Sequence, residues 1–206
     1  MADRKDLTIM QGKTFTQVVR WEELPIVYKA ITAIAQTAPA LITAAGHGLK
    51  NGWRAAVVSV KGMTGINAGD PVKDKDYHPV TIPVADGTNK IELNDVNAAG
   101  FKPYTSGGYL QYNSPASLAG FTARMSIKDK VGGTELLRLD TTLVAPQPRI
   151  ALDDTEHTIT LTISAEDTAA LTWTKGVYDL ELVSAAGVVT AILYGSIAVS
   201  KEVTTT

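Results

Sequence analysis

The stretch that decides the fold is residues 121–141, FTARMSIKDKVGGTELLRLDT, with residues 157–171, HTITLTISAEDTAAL, and residues 176–204, GVYDLELVSAAGVVTAILYGSIAVSKEVT. Bulky apolar and polar residues alternate along it, which is the pattern of strands with one buried and one solvated face. The apolar positions are Phe121, Ala123, Met125 and Ile127; Ile159, Leu161 and Ile163; and Val177, Tyr178, Leu180 and Leu182. The run therefore predicts a series of short β-strands.

Two glycine-containing segments interrupt these strands, VGG at 131–133 and AAG at 185–187. Glycine supplies the positive φ angles that tight connections need, so both segments are predicted turns. Strands and turns that alternate at this spacing are typical of a small β-sandwich. One short helix is predicted at 164–173, with Ser164 as its N-cap and Asp167 returning the capping bond.

The composition favours the all-β class. Threonine, valine and isoleucine make up 57 of the 206 residues, and these β-branched side chains pack well on a pleated surface. The chain has no cysteine, which excludes disulfides and thiolate metal sites. A net charge of -2 provides no field that would attract nucleic acid or an anionic membrane, so neither is an expected partner.

The sequence shows no targeting or membrane-spanning segment. The N-terminal residues MADRKD carry charges but no apolar run follows them, and no stretch approaches the roughly eighteen apolar residues of a membrane span. We therefore expect a protein made in the cytoplasm with no membrane span. Both polar ends, MADRKD and KEVTTT, are expected either to be loose or to order against a partner.

A change in local composition along the chain suggests that one domain is inserted into another. Glycine and asparagine cluster between residues 26 and 113, where they separate short apolar runs. We predict an immunoglobulin-like β-sandwich formed by residues 1–25 and 114–206, opening with a hairpin around Gly12, and an inserted small β-barrel module at 26–113. The alternative is two sequential domains. The two interpretations differ in whether the strand containing Val18 and Val19 pairs with strands beyond residue 114.

Residues that could carry chemistry are scattered. His47 lies in a glycine-flanked loop, and His78 and His157 occupy unrelated segments, so the favoured interpretation of His47 is a loop hydrogen bond. The acidic residues Asp70, Asp74 and Asp76 lack the spacing of a calcium loop. Ser196 follows Gly195 within a strand pattern rather than at a nucleophile elbow. We therefore predict no catalytic, cofactor-binding or metal-binding residue and no enzymatic activity.

The aromatic residues have a structural and a binding interpretation. Tyr104, Tyr109 and Tyr112 surround a Ser-Gly-Gly turn and could form a platform on which a sugar stacks. Half-buried strand positions are the favoured interpretation, and a carbohydrate-binding adhesion module is the alternative. The three tryptophans, Trp21, Trp53 and Trp173, are predicted core or interface anchors.

Two parts of the sandwich sequence support a family resemblance. The G-x-T-F strand that ends in tryptophan, GKTFTQVVRW at 12–21, and the step LAGFTARM at 118–125 resemble the immunoglobulin-like domain of tailed-phage and prophage structural proteins. They are similar to the N-terminal domain of phage baseplate upper proteins. About ninety residues separate the two pieces here, which is the departure that favours an insertion.

The insert has its own resemblance. The turn GHGL at 46–49, the step VKGMTGIN at 60–67, the strand ELN at 92–94 and the closing SGG at 106–108 resemble the small β-barrel of phage virion proteins and of the first catalytic-cysteine half-domain of ubiquitin-activating enzymes. These are turn and core positions in that barrel. Without a cysteine, no thioester chemistry follows from the resemblance.

The two resemblances imply a structural component of a tailed-phage virion. They imply a place in the tail, collar or baseplate, homo-oligomeric contacts and contacts with other virion proteins, with no cofactor. A head decoration or head-tail connector protein is the alternative within the same class.

Overall fold

The computed structural model describes residues 2–202, and it is almost entirely β-structure. Its elements in chain order are β1 (Asp3–Arg4), β2 (Leu7–Met10), β3 (Phe15–Arg20), β4 (Glu22–Ala30), β5 (Ala33–Ala35), β6 (Ala40–Thr43), β7 (Arg54–Val58), 3-10 turns at Thr64–Ile66 and Asp74–Asp76, β8 (His78–Thr81), β9 (Lys90–Leu93), β10 (Tyr109–Pro115), β11 (Thr122–Lys128), β12 (Glu135–Asp140), β13 (Arg149–Asp153), β14 (Thr158–Ile163), α1 (Ala165–Ala169), β15 (Lys175–Val183) and β16 (Val189–Ser200). The predicted all-β class is confirmed.

The chain divides into two compact units. The first contains the described residues up to Trp21 and from Ala116 onward, and the second is Glu22–Pro115. The junctions lie at 21/22 and 115/116 rather than at the predicted 25/26 and 113/114. The reason is strand pairing, because Glu22 on β4 pairs with Pro115 on β10 and the two strands enter and leave the second unit together.

The first unit is one curled sheet of nine strands. Eight follow the order β1-β16-β15-β11-β12-β13-β14-β3, and β2 pairs with β16 beside β1. The strand containing Val18 and Val19 is β3, and Val19 pairs with Ile159 on β14. The first strands of the chain therefore belong to the same sheet as strands beyond residue 114.

The predicted hairpin around Gly12 is wrong. Strands occur on both sides of this glycine, and it turns the chain with a φ of 74°. However, β2 pairs in parallel with β16, whereas β3 pairs with β14. The two strands share a turn but separate to different partners, an outcome that local periodicity cannot reveal.

The core of the first unit follows the predicted alternation on β11 and β14. Ala123, Met125 and Ile127 are buried, and so are Ile159, Leu161 and Ile163. On β15 the buried set is Tyr178, Leu180 and Leu182. Val177 was predicted inside but pairs with Lys128 on the outer face. Adjacent strand residues point to opposite faces, so Val177 and Tyr178 cannot both be buried in one core.

The predicted turns and helix occur, although the helix is shorter than expected. Gly132 and Gly187 turn the chain with φ angles of 72° and 80°. Helix α1 ends at Ala169, and Ser164 caps it by accepting the Asp167 N–H at 3.0 Å. The Asp167 carboxylate accepts from the Ser164 hydroxyl rather than returning the bond to the backbone.

The second unit is a curled sheet of seven strands in the order β4-β10-β7-β8-β9-β6-β5. Its first and last members, β4 and β5, follow each other directly along the chain, so the sheet curls round on itself. A separate apolar core fills it, with Trp53, Ile42, Met63, Ile91 and Leu93 almost fully buried.

The N-terminal end joins the first sheet, because Asp3 and Arg4 of the predicted polar end MADRKD form β1, which pairs with β16. Strand β16 ends at Ser200, and of the predicted polar tail only Lys201 and Glu202 are described, where Glu202 pairs with Lys13 at 2.9 Å. The remaining tail residues lie outside the described part. No helix within residues 2–202 has the length and apolar character needed to cross a membrane.

The alternation on β14 leads to a stability prediction. Ile159→Ala should lower the free energy of unfolding by about 2–5 kcal/mol, because it leaves a cavity in a close-packed core. The neighbouring Thr160→Ala changes the other face of the same strand and should cost less than about 1 kcal/mol. Urea unfolding followed by circular dichroism measures both values, and equal losses would contradict the assigned faces.

Candidate functional site

A groove of about 680 Å³ lies on the outer face of the sheet of the first unit. We call it the sheet-face groove. Strand register places one residue from each of five neighbouring strands in a row across it: Arg138, Ser126, Asp179, Tyr194 and Arg4. The same alternation that buries the core positions directs these side chains outward.

The sheet-face groove carries more positive than negative charge. Arg4, Arg124, Lys128, Lys130 and Arg138 line it, against Asp179 and Glu181. Arg124 Nε is 2.8 Å from Glu181 Oε2, and Arg138 Nε is 3.1 Å from Asp140 Oδ2. Within residues 2–202, the ammonium groups of Lys128 and Lys130 form no ion pair, so they remain available to acidic groups of a partner.

Two residues of this groove, Tyr178 and Ser196, are hydrogen-bonded to the N-terminal part of the chain. Tyr178 donates its hydroxyl to the Lys5 carbonyl at 2.6 Å, and burial raises the pKa of Tyr178 to about 12. The phenol is therefore neutral at ordinary pH. Ser196, the serine considered from the sequence, lines the same groove, where its N–H donates to Asp6 at 2.9 Å. The excess of basic side chains suits recognition of acidic groups.

The second unit exposes an apolar stripe on the edge strand β4. We define the β4 stripe as Leu24, Ile26 and Tyr28 with Tyr109 of β10. Their exposed fractions are 76%, 37%, 54% and 46%. The rings of Tyr28 and Tyr109 meet edge to face at 6.3 Å. Monomeric proteins rarely leave such clusters uncovered, so the β4 stripe is a candidate contact surface.

An arginine-centred network supports the strand that carries this stripe. Arg54 donates from Nε and Nη2 to the two oxygens of Glu22 at 3.0 and 3.1 Å, and from Nη1 to Asp74. Asn113 also donates to Glu22, at 3.1 Å. The hydrogen-bonded Glu22 carboxylate raises the pKa of Arg54 further above its usual range. The network ties the start of β4 to β7 and β10.

A smaller cleft of about 290 Å³ in the second unit contains a histidine, His78, and two carboxylates, Asp76 and Asp95. His78 Nδ1 lies 2.9 Å from Asp95 Oδ1, as in a pair that orients an imidazole for acid-base work. Among the described residues that line the cleft there is no serine, threonine or cysteine for this histidine to activate. The pair alone does not form a catalytic constellation.

His47 has the loop role favoured from the sequence. Its side chain is buried, its Nδ1 accepts from the Leu49 N–H at 3.0 Å, and its carbonyl accepts from the Tyr112 hydroxyl. Burial lowers the pKa of His47, and the nearby backbone of Lys90 and Gly87 opposes this shift. Within residues 2–202, Nε2 of His47 has no hydrogen-bond partner of normal geometry. The imidazole is therefore neutral at pH 7.

The acidic residues considered as a calcium loop are separated by their contacts. Asp74 pairs with Arg54, and Asp76 accepts from the Lys73 N–H at 2.9 Å. Within residues 2–202, Asp70 forms no hydrogen bond with either. Within residues 2–202, no group of three histidine or acidic side chains is arranged to hold a metal ion.

The structure disperses the three tyrosines considered as a sugar platform. Tyr112 is buried, and Tyr104 is half-buried with its hydroxyl donating to the Ile31 carbonyl at 3.0 Å. Only Tyr109 is exposed, and its aromatic partner is Tyr28. Of the tryptophans, Trp53 lies in the core of the second unit, while Trp21 and Trp173 pack beside the core of the first.

Sequence reasoning missed both candidate surfaces. The alternation Leu24, Ile26, Tyr28 was a readable signal for a strand, but these residues were divided between the two predicted domains. The row of the sheet-face groove had no readable signal, since its members come from five strands distant in sequence.

A scan against protein-family models finds no matching family, and a search of curated proteins finds no match.

Burial of His47 predicts a pH effect on stability. The pKa of His47 is lower in the folded chain than the unfolded value of about 6.5, so the unfolded chain binds more protons. The contribution of His47 is complete above about pH 6.5 and is lost as the pH falls below that value. The free energy of unfolding, measured with denaturant at pH 7.5 and at pH 5.0, should therefore differ less between the two pH values for His47→Asn than for the unsubstituted chain. Asparagine keeps an acceptor for the Leu49 N–H but does not titrate. An equal pH dependence in the two proteins would contradict this role of His47.

The Arg54 network predicts a second stability effect. Arg54→Met should destabilise the second unit by about 1–2 kcal/mol, because it leaves the mostly buried Glu22 carboxylate without its cation. Arg124→Met removes a more exposed pair in the first unit and should cost less than about 1 kcal/mol. Thermal and urea unfolding compare the two variants, and a larger loss for Arg124→Met would contradict the assignment.

Proposed function

We propose that this chain is a structural component of a tailed-phage virion, located in the tail, collar or baseplate. It joins tail parts through contacts between its own copies and with neighbouring virion proteins, and it carries no enzymatic activity. The observation that carries the proposal is the exposed β4 stripe, an apolar surface on a strand edge in a chain whose two units each have a complete core of their own.

The sheet-face groove supports the same role by a different chemistry. Lys128 and Lys130, which form no ion pair within residues 2–202, suit contact with an acidic surface, while the β4 stripe suits an apolar one. A protein with two contact surfaces of different character can bind two different neighbours. This is what a component packed between copies and other proteins of a particle requires.

The sequence resemblances supply the setting of the proposal. The sandwich motifs at 12–21 and 118–125 are similar to a domain of phage baseplate upper proteins, and the turn and core motifs of the insert resemble a barrel of phage virion proteins. A head decoration or head-tail connector protein would use the same surfaces and is the alternative location. The adhesion alternative loses its platform, because Tyr104 and Tyr112 point into the second unit.

The proposal predicts that the chain is present in purified particles. Virions from cells that produce it, banded on a density gradient, should contain its peptides by mass spectrometry at a constant ratio to the tail proteins. Antibody-gold labelling should mark the tail, collar or baseplate. A non-structural protein encoded by the same phage serves as the control, since it should be lost on banding.

Two other results would revise the proposal. Labelling on the head would replace the tail assignment by the head alternative. Absence of the chain from banded particles, with abundant protein in the lysate, would refute a virion role.

A further inference from the structure

We infer that the sheet-face groove binds an extended acidic segment of another protein, and that Lys128 and Lys130 are the charges that recognise it. The inference names the class of partner for this groove, and it rests on the proposed function only for the identity of that partner as a virion protein. The segment lies on the outer face of the sheet of the first unit, across the strands that form the row from Arg138 to Arg4.

The charges of the two lysines are not neutralised by their own chain. Both lysines line the groove, and among the described residues neither side chain forms an ion pair. The neighbouring carboxylates have other hydrogen-bond partners. Glu135 accepts from the Ser126 hydroxyl at 2.9 Å, and Asp129 accepts from the backbone of the hairpin between β11 and β12. Lys128 and Lys130 are therefore two cations that are free to pair with acidic side chains of a partner.

The hairpin that carries Lys130 is stabilised by its own hydrogen bonds. The Asp129 carboxylate accepts from the Lys130 and Thr134 N–H groups, each at 2.8 Å. The Gly133 N–H also donates to the Lys130 carbonyl, at 2.9 Å. An ordered turn loses less conformational entropy on binding than a mobile one, which favours Lys130 as a recognition residue.

Arginines and an exposed tyrosine give the groove side chains that are typical of protein–protein contacts. Arg124 and Arg138 each donate to a carboxylate of their own chain through Nε, and among the described residues their Nη groups form no hydrogen bond. A guanidinium oriented in this way can still donate to a second carboxylate. Tyr194, which pairs with Arg4 in the sheet, is 49% exposed. Tyrosine and arginine are enriched at the residues that contribute most to protein–protein binding.

The acidic residues of the groove favour a polypeptide over a uniform polyanion. Asp179 lies at the centre of the row and forms no ion pair among the described residues, and Glu181 lies on the same face of β15. A nucleic acid or an acidic polysaccharide repeats one charge and places part of it against these carboxylates. A polypeptide can place acidic side chains against the lysines and a neutral or basic side chain against Asp179.

The densest acidic run of this chain does not fit the groove. The run is residues 153–156, DDTE. It forms a turn in which the Asp153 carboxylate accepts from the Thr155 and Glu156 N–H groups. The Asp154 carboxylate accepts from the Ser117 hydroxyl at 3.0 Å. A turn whose carboxylates are bonded in this way does not extend across five strands, so we expect a partner of different sequence rather than a second copy.

Binding of a labelled peptide tests the inference. The probe is a short fluorescein-labelled peptide of alternating glutamate and serine, and the same peptide with glutamine in place of glutamate is its neutral control. In fluorescence anisotropy at low ionic strength, the purified full-length chain should bind the glutamate peptide at least about tenfold more tightly than the glutamine peptide. Added salt should weaken the binding, because it screens exposed charges.

Charge reversal tests the role of the two lysines. Lys128→Glu and Lys130→Glu should each weaken binding of the glutamate peptide about fivefold or more, because each replaces an attraction by a repulsion. Lys102→Glu makes the same change of charge at an exposed position in the second unit and should leave the affinity unchanged. Lys128→Gln and Lys130→Gln should give smaller losses, and they test the same assignment if a reversal disturbs the fold.

Asp179→Asn tests the choice of a polypeptide as the partner. Relative to the unsubstituted chain, this variant should gain at least about threefold in affinity for the glutamate peptide and gain less for a peptide with a lysine at its centre. The reason is that it removes a carboxylate that repels the first peptide and attracts the lysine of the second. An oligogalacturonate with the same number of carboxylates should bind the unsubstituted chain more weakly than the glutamate peptide does.

Three results would overturn the inference. The first is equal affinity for the glutamate and glutamine peptides, and the second is a loss of affinity in Lys102→Glu as large as in Lys128→Glu and Lys130→Glu. The third is tighter binding of the oligogalacturonate, which would assign the groove to an acidic polysaccharide. Each can occur with the chain present in purified virions, and peptide binding can occur with the chain absent from them. Failure of this inference is therefore distinguishable from failure of the proposed function.

Discussion

The constraint on which the rest of the structure depends is the backbone pairing at the two crossings between units. The Ala116 N–H donates to the Trp21 carbonyl at 2.9 Å in the first unit, and Glu22 pairs with Pro115 in the second. The chain thus leaves and re-enters the first unit at the same place. Closing a longer loop adds little entropy cost. A whole folded unit can therefore be inserted between Trp21 and Ala116 while β3 still pairs with β14.

The pairing has a consequence for contact surfaces. Strand β4 carries the chain into the second unit and β10 carries it out, and the two strands pair with each other. Strand β10 pairs with one side of β4. No other strand within residues 2–202 pairs with β4, and exposed apolar side chains lie along it. The Arg54 network at its start stabilises the strand without covering these side chains. The geometry that makes the insertion possible therefore also leaves the β4 stripe exposed.

Local patterns predicted the parts of the fold that depend on neighbouring residues. Period-two alternation located β11 and β14, glycine located the turns at Gly132 and Gly187, and Ser164 located the start of α1. The main errors concern partners. The strands LTIM at 7–10 and TFTQVVRW at 14–21 were predicted to pair with each other as a hairpin. A glycine between two strands does not show that each pairs with a different strand. For the candidate site, the loop role of His47 was predicted and both contact surfaces were missed.

The sequence by itself determined the all-β class, the buried faces of β11 and β14 and the lack of thiol chemistry, because these follow from side-chain type and alternation. Only the tertiary structure decided which strands meet, and with them the row from Arg138 to Arg4 and the separation of Tyr104 from Tyr109. Strands pair through backbone hydrogen bonds, which every residue except proline can donate and accept, so these bonds do not distinguish one partner strand from another. The side-chain pattern indicates that a strand exists and which face it buries. It does not indicate which distant strand will lie beside it, and contact surfaces are made of such neighbours.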